Sequence, residues 1–187
     1  FCFFFFSSSL SKKKKNQQRQ GDLGTCGVMA VGNFIEFLIG QPVSTLFLYY
    51  SIRVYIANFQ PNDDAGVEIP QIIEALGQYG ICRAELWPYN TAKFLECPPA
   101  QAFEEAANLK LQDFQQINTF DEMKASLNRE VPFFMDINFA PDAYGRTPEK
   151  TGYISKPPNY EVEYCDHTVL IVGYDDESEY LIFQNSW

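Results

Sequence analysis

Asp166-His167-Thr168-Val169-Leu170-Ile171-Val172-Gly173-Tyr174 is an aliphatic, β-branched run headed by the one histidine in the chain. Four polar residues, Asp175-Asp176-Glu177-Ser178, separate it from a second run, Glu179-Tyr180-Leu181-Ile182-Phe183-Gln184-Asn185-Ser186. Two apolar runs joined by a short polar turn read as a β-hairpin. Working backward, residues 139–164 are a long loop rich in Pro, Gly and Tyr, and Val131 to Asn138 is another apolar strand. Thr119-Phe120-Asp121-Glu122 is a capping box that opens a short helix. Leu109 to Ile117 is read as a strand.

The first half of the chain has a different period. Val28, Val31, Phe34, Ile35 and Leu38 recur at helical spacing, so a helix is expected over Thr25–Ile39, stopped by Gly40. A second helix is expected from Ser44, a good N-cap, to about Asn58; it is apolar nearly all round and so deeply buried. Residues 61–66 (Pro-Asn-Asp-Asp-Ala-Gly) are a loop. A third helix is expected over Glu68–Tyr79, with Pro70 in its first turn and Gly80 at its end, and a fourth after Pro98-Pro99, ending near Asn108. Helices followed by strands predict an α+β fold of two lobes, a helical one over residues 20–108 and a β lobe over 109–187, together forming one domain.

The charge is unevenly placed. Five of the 14 basic residues, Lys12 to Lys15 and Arg19, fall in residues 1–19, which hold no acid. The remainder sets nine basic side chains against 24 acidic ones. A body that acidic is a poor partner for nucleic acid, because phosphate contacts need Lys and Arg. No apolar run reaches the roughly 18 residues that would span a bilayer. Hydrophobic content of 46% in 187 residues is enough for a real core. Residues 1–19 have their positive charge after a short apolar run, the reverse of a signal peptide, and are read as a non-native or disordered extension. The end at Trp187, directly after a strand-like run, is read as a truncation of the β lobe. Five cysteines, an odd number at low density, do not make a disulfide framework; a Cys82–Cys97 bridge stays open, and the compartment is not specified.

Three pieces carry chemistry. Gln20-Gly21-Asp22-Leu23-Gly24-Thr25-Cys26 places a thiol where a helix begins, so unpaired N–H groups and the positive end of the helix dipole face its sulfur. The thiolate is the reactive form of cysteine. His167 is the sole possible imidazole base. Asn185, in the next strand of the hairpin, is placed to be its cross-strand neighbour, and an amide oxygen there can fix the ring by hydrogen bonding. The Gln20 amide and the Cys26 N–H could donate to an oxyanion. A lone buried cysteine or histidine is most often structural. Here nucleophile, base, orienting amide and oxyanion donor occur together, the equipment of a cysteine hydrolase.

These residues resemble the papain-like cysteine peptidases, the papain and cathepsin family. The order Cys26, His167, Asn185 matches, as do Gln20 six residues before the cysteine, Val172-Gly173-Tyr174 after the histidine, and Asn185-Ser186-Trp187. The segments Gln20–Cys26, Leu48-Tyr49-Tyr50 and Leu86-Trp87-Pro88-Tyr89 are most similar to the short, disulfide-poor branch of bacteria, archaea and viruses. The resemblance covers residues 20–187. It implies a two-lobed fold, helical N-terminal lobe and antiparallel sheet or barrel C-terminal lobe, with the site in the cleft between them. It implies Cys26 as nucleophile, His167 as base and acid, Asn185 as orienter, Gln20 as oxyanion donor and Trp187 as a shield over the Asn–His contact. Substrate-binding positions are implied at Gly24, Gly66, Asp166 and Thr168. Peptide or protein substrates, no metal, no organic cofactor and a monomeric state are expected. Leu23 replaces a cysteine that anchors a disulfide in plant and animal members, and Gly27 replaces an aromatic residue. Two other readings use the same residues: a catalytically silent papain-fold binding module, and an acyl-transferase or amidase. A metal site from Cys165, Asp166 and His167 is the weakest, since adjacent strand residues point to opposite faces and no fourth ligand is evident.

Overall fold

The structure is a computed structural model that describes residues 2–4, 19–60, 62–137, 152–154 and 167–186. The chain divides into two compact units, residues 18–116 and residues 117–186 with the N-terminal strand.

The helical unit opens with α1 (Cys26–Ile39), closed by Gly40, whose N–H donates to the Glu36 carbonyl. Val28, Val31 and Ile35 are fully buried, as the helical spacing predicts. Helix α2 (Thr45–Ser51) starts at Ser44, whose Oγ accepts the Phe47 N–H at 3.1 Å. Leu46 to Tyr49 lie almost wholly inside. The sequence predicts a continuous helix to about Asn58, but Ile52–Ile56 form a π-helical turn, with the Ala57 N–H on the Ile52 carbonyl at 2.8 Å. The widened turn coincides with a buried arginine. The Arg53 guanidinium lies 3.8 Å over the Phe94 ring and donates to the Phe94 carbonyl at 2.6 Å.

Helix α3 (Ile69–Gln78) has a capping box, in which the Glu68 N–H donates to Gln71 Oε1 at 3.0 Å, and Pro70 in its first turn. Gly80 then reverses the chain at φ 75°. Helix α4 (Ala100–Ala106) follows Pro98-Pro99. Leu46, Phe47, Trp87, Ala102 and Ala106 pack as one apolar cluster.

The strand expected over Leu109–Ile117 does not form. The backbone there makes single bonds to the helical unit instead: Ile81 N–H to the Leu109 carbonyl, and Leu111 N–H to the Leu76 carbonyl. A strand needs a partner strand, and this segment lies instead along the end of α3.

The second unit begins with α5 (Phe120–Asn128) behind the expected capping box: Thr119 Oγ1 accepts the Glu122 N–H, and Glu122 accepts the Thr119 N–H. Its sheet contains β1 (Cys2–Phe4), β2 (Phe133–Ile137), β3 (Tyr153–Ile154), β4 (His167–Asp175) and β5 (Tyr180–Gln184), in the order β2-β4-β5-β1-β3. The hairpin read from the sequence is β4–β5, antiparallel, with a bulge between Ile171 and Gly173. Strand β1, from the segment read as an extension, lies parallel to β5 and antiparallel to β3. It satisfies the backbone groups that the β5 edge would otherwise present unpaired. Phe133, Ile137, Val169, Ile171, Leu181 and Phe183 form the core of the unit. The mixed helical and sheet content is the α+β class that the change of period predicts.

Candidate active site

Cys26 is the first residue of α1 and is half-buried. The residue before it, Thr25, is fully buried, yet its hydroxyl makes no bond to the helix N-terminus. It is diverted to Tyr89, whose hydroxyl lies 2.8 Å away. Tyr89 also contacts the Gln20 carbonyl at 2.6 Å. A carbonyl can only accept, so the single tyrosine proton goes to Gln20 and the Thr25 hydroxyl donates to the Tyr89 oxygen. One phenol thus ties both sides of the turn that presents the thiol. Burial raises the Tyr89 pKa above the ordinary tyrosine value, which keeps that proton in place.

The sequence assigns an oxyanion role to Gln20. In the structure its Nε2 donates to the Leu23 carbonyl at 3.1 Å, which fixes the amide against the same turn. Gly24 and Gly66, both expected at the substrate, do meet: a Cβ on Gly24 would stand 2.9 Å from the Gly66 nitrogen. Only glycine allows so close a backbone approach. The Gly24 N–H donates to both Asp64 oxygens, at 2.9 and 3.0 Å, and the Tyr49 hydroxyl donates to Asp64 Oδ1 at 2.5 Å.

In the sheet unit, His167 and Asn185 are each only 4% exposed. A buried imidazole among Val, Leu and Ile needs a polar partner. Asn185 Oδ1 supplies it, 2.7 Å from His167 Nε2. The same oxygen accepts the Ser186 backbone N–H at 2.8 Å. A backbone N–H must face an acceptor, so this amide atom is the oxygen, and Nε2 is therefore the protonated ring nitrogen. The other nitrogen, Nδ1, carries the lone pair when the ring is neutral. Asn185 falls just past β5, where Leu170 pairs with Gln184. It therefore stands diagonal to His167 across the hairpin, a cross-strand neighbour. Beside the histidine, Thr168 donates to Asp136 Oδ1 at 2.6 Å, across a register that also pairs Ile137 with His167.

Gln20, Gly24, Cys26 and Gly66 belong to the helical unit; His167, Thr168 and Asn185 belong to the sheet unit. Asp166 and Trp187 lie outside the described residues, as does Cys165. Cys82 and Cys97 are free thiols, the first buried and the second exposed. The sequence reading missed the parts played by Asp64, Tyr49 and Tyr89. Tyr49 and Tyr89 lie in segments singled out as motifs, which was the available signal; Asp64 was one of two adjacent aspartates in a loop.

Comparison with known proteins identifies the family and the fold. Residues 63–187 match the family model of the papain family cysteine proteases. An uncharacterized peptidase C1-like protein of Acanthamoeba polyphaga mimivirus is 30% identical over 184 residues, which is 90% of this chain and 58% of that protein. The chain therefore spans less than two thirds of that relative. Among solved structures, xylellain, a cysteine protease from Xylella fastidiosa, superposes with a TM-score of 0.74 at 24% identity, over 99% of this chain and 80% of its own. A digestive procathepsin L 3 of the Tenebrio molitor larval midgut gives a TM-score of 0.63 at 18% identity, over 92% and 56%. The fold is thus papain-like, and with two thirds of its residues matched to the family model, this chain belongs to the papain family of cysteine proteases.

Proposed function

We propose that the chain hydrolyses peptide bonds through an acyl-thioester on Cys26, with His167 as the base and acid. The observation that carries this reading is the buried pairing of His167 Nε2 with Asn185 Oδ1 at 2.7 Å. With Nε2 committed as a donor, Nδ1 is the atom that exchanges a proton with the thiol. The thiolate attacks the scissile carbonyl, and the negative oxygen of the tetrahedral intermediate is held by the Cys26 N–H and the Gln20 amide. The imidazolium gives its proton to the leaving amine, and the C–N bond breaks to leave the thioester. Water then attacks the thioester, giving one proton to Nδ1; the carboxylic acid departs and the sulfur is restored. Asn185 holds the ring in plane throughout and stabilises its cationic form. Peptides or proteins are the substrates, and Gly24, Gly66 and Thr168 are assigned to substrate contact.

Alkylation with iodoacetamide near pH 5, followed by peptide mass spectrometry, tests the activated thiol. An ordinary cysteine is almost wholly protonated at that pH. Rapid labelling confined to Cys26, and its loss in His167→Ala, is the expected result. Slow, equal labelling of every cysteine rules the mechanism out. Cys26→Ala should remove peptide turnover and leave the circular dichroism spectrum unchanged; full turnover in that variant is equally fatal.

A further inference from the structure

We propose that Asp64 is a positioning residue for the nucleophile: its carboxylate, anchored by Tyr49, clasps the Gly24 N–H and sets the backbone two residues ahead of Cys26. This role rests on the peptidase reading of Cys26.

The anchor lies in the core. Tyr49 is fully buried in α2, and the Arg53 guanidinium lies 5.2 Å from its ring centre. Burial and the neighbouring Asp64 carboxylate both push its pKa above the ordinary tyrosine value, so the hydroxyl stays a proton donor. It donates to Asp64 Oδ1. From there both carboxylate oxygens reach one amide, the Gly24 N–H, 40 residues away in sequence. A charged acceptor makes such a bond stronger than a neutral one.

The clasped segment is irregular: Tyr89 ties its two ends, at Gln20 and Thr25, and the Asp64 carboxylate takes the Gly24 N–H between them. Residues 20–25 form no helix or strand. Local backbone bonds also serve them: the Thr25 N–H donates to the Leu23 carbonyl, and the Thr25 carbonyl accepts the Met29 N–H in the first turn of α1. The loop on the other side, residues 62–68, has no regular structure either. Asp64 joins these two irregular segments where their backbones nearly touch, at Gly24 and Gly66. The result is a path of hydrogen bonds from a core helix to the residue that leads into Cys26. Near-attack geometry is sensitive at this scale, since a displacement of about 1 Å at a reacting group can reduce turnover about a hundredfold.

The test compares Asp64→Ala, Asp64→Asn and Tyr49→Phe with the parent chain. Four quantities are read: kcat and KM on a peptide substrate, the rate of Cys26 alkylation, amide hydrogen exchange at Gly24 by NMR, and the melting temperature. Asp64→Ala should lower kcat and the alkylation rate about ten- to a hundredfold, with less change in KM, and speed Gly24 exchange at least tenfold. Asp64→Asn, which keeps one acceptor oxygen, should recover part of both, and Tyr49→Phe should give a smaller loss in the same direction. Parental kcat and parental Gly24 exchange in Asp64→Ala overturn the proposal. If Asp64→Ala does not fold, Asp64→Asn decides: unchanged Gly24 exchange in a folded Asp64→Asn with reduced activity also overturns it. If the parent itself neither turns over peptide nor labels selectively at Cys26, the peptidase reading has failed, and Gly24 exchange alone still shows whether Asp64 holds the loop.

Discussion

Tyr89 shows how one hydroxyl can set the geometry of two proposed catalytic groups. It donates to the carbonyl of Gln20 and accepts from Thr25, the residues at either end of the turn before Cys26. Removing that oxygen in Tyr89→Phe leaves the Thr25 hydroxyl, which is fully buried, without this partner. An orphaned buried hydroxyl costs about 1 to 3 kcal/mol. The freed hydroxyl can instead rotate to cap α1, where it would compete for the N–H groups that face the nucleophile. Tyr89→Phe should therefore lower kcat more than it raises KM, with a stability loss of about 1 kcal/mol by urea titration. A variant with unaltered kcat would show that the Gln20–Thr25 tie is structural only. The histidine follows a similar logic. Its place at the head of β4 is evident from the sequence, but the identity of its protonated nitrogen follows from the Ser186 N–H, which fixes the orientation of the Asn185 amide.

At the scale of elements, the features that depend on near neighbours were legible. The Ser44 cap, the Thr119–Glu122 capping box, Pro70 in a first turn and the polar turn at 175–178 each act within four residues, so their chemistry is written locally. What required a distant partner was not legible. Leu109–Ile117 reads as a strand but has no strand beside it among the described residues, and the clasp of Asp64 on Gly24 spans 40 residues. Gly80 belongs to both groups. The sequence marks it as the end of α3, while its strict need for glycine comes from α4. At φ 75°, a Cβ there would stand 1.9 Å from the Ala106 carbonyl oxygen and 2.7 Å from that of Leu109. Left-handed backbone alone costs a non-glycine residue about 1 to 2 kcal/mol, and the collision forces α3 and α4 apart. Gly80→Ala should thus destabilise the helical unit by more than about 2 kcal/mol. A urea midpoint within experimental error of the parent would mean that the α3–α4 junction yields without strain.

Across the whole molecule, the charge pattern and the buried titratable groups predict one response to pH. The Cys82 thiol is fully buried in the helical unit, and burial pushes its pKa up to about 12. In the unfolded chain a thiol ionises near 8.5 to 9. The folded state therefore keeps a proton that the unfolded state releases. Stability from this group is complete below about pH 8.5 and is lost progressively as the pH rises towards the folded value. The buried hydroxyls of Tyr49 and Tyr89 shift the same way and add to the loss at higher pH. An acidic body also repels itself more as its lysines discharge, an effect unrelated to Cys82. Cys82→Ala separates the two: it should be less stable than the parent at pH 7, because it leaves a small cavity beside Phe47 and Trp87. Its decline between pH 8 and 11 should be shallower than that of the parent by about 2 kcal/mol. Trp87, only 6% exposed and in the same cluster, reports the unfolding of this unit by fluorescence. Parallel pH profiles for parent and variant would place the alkaline loss in surface repulsion and leave the buried thiol without a share in it.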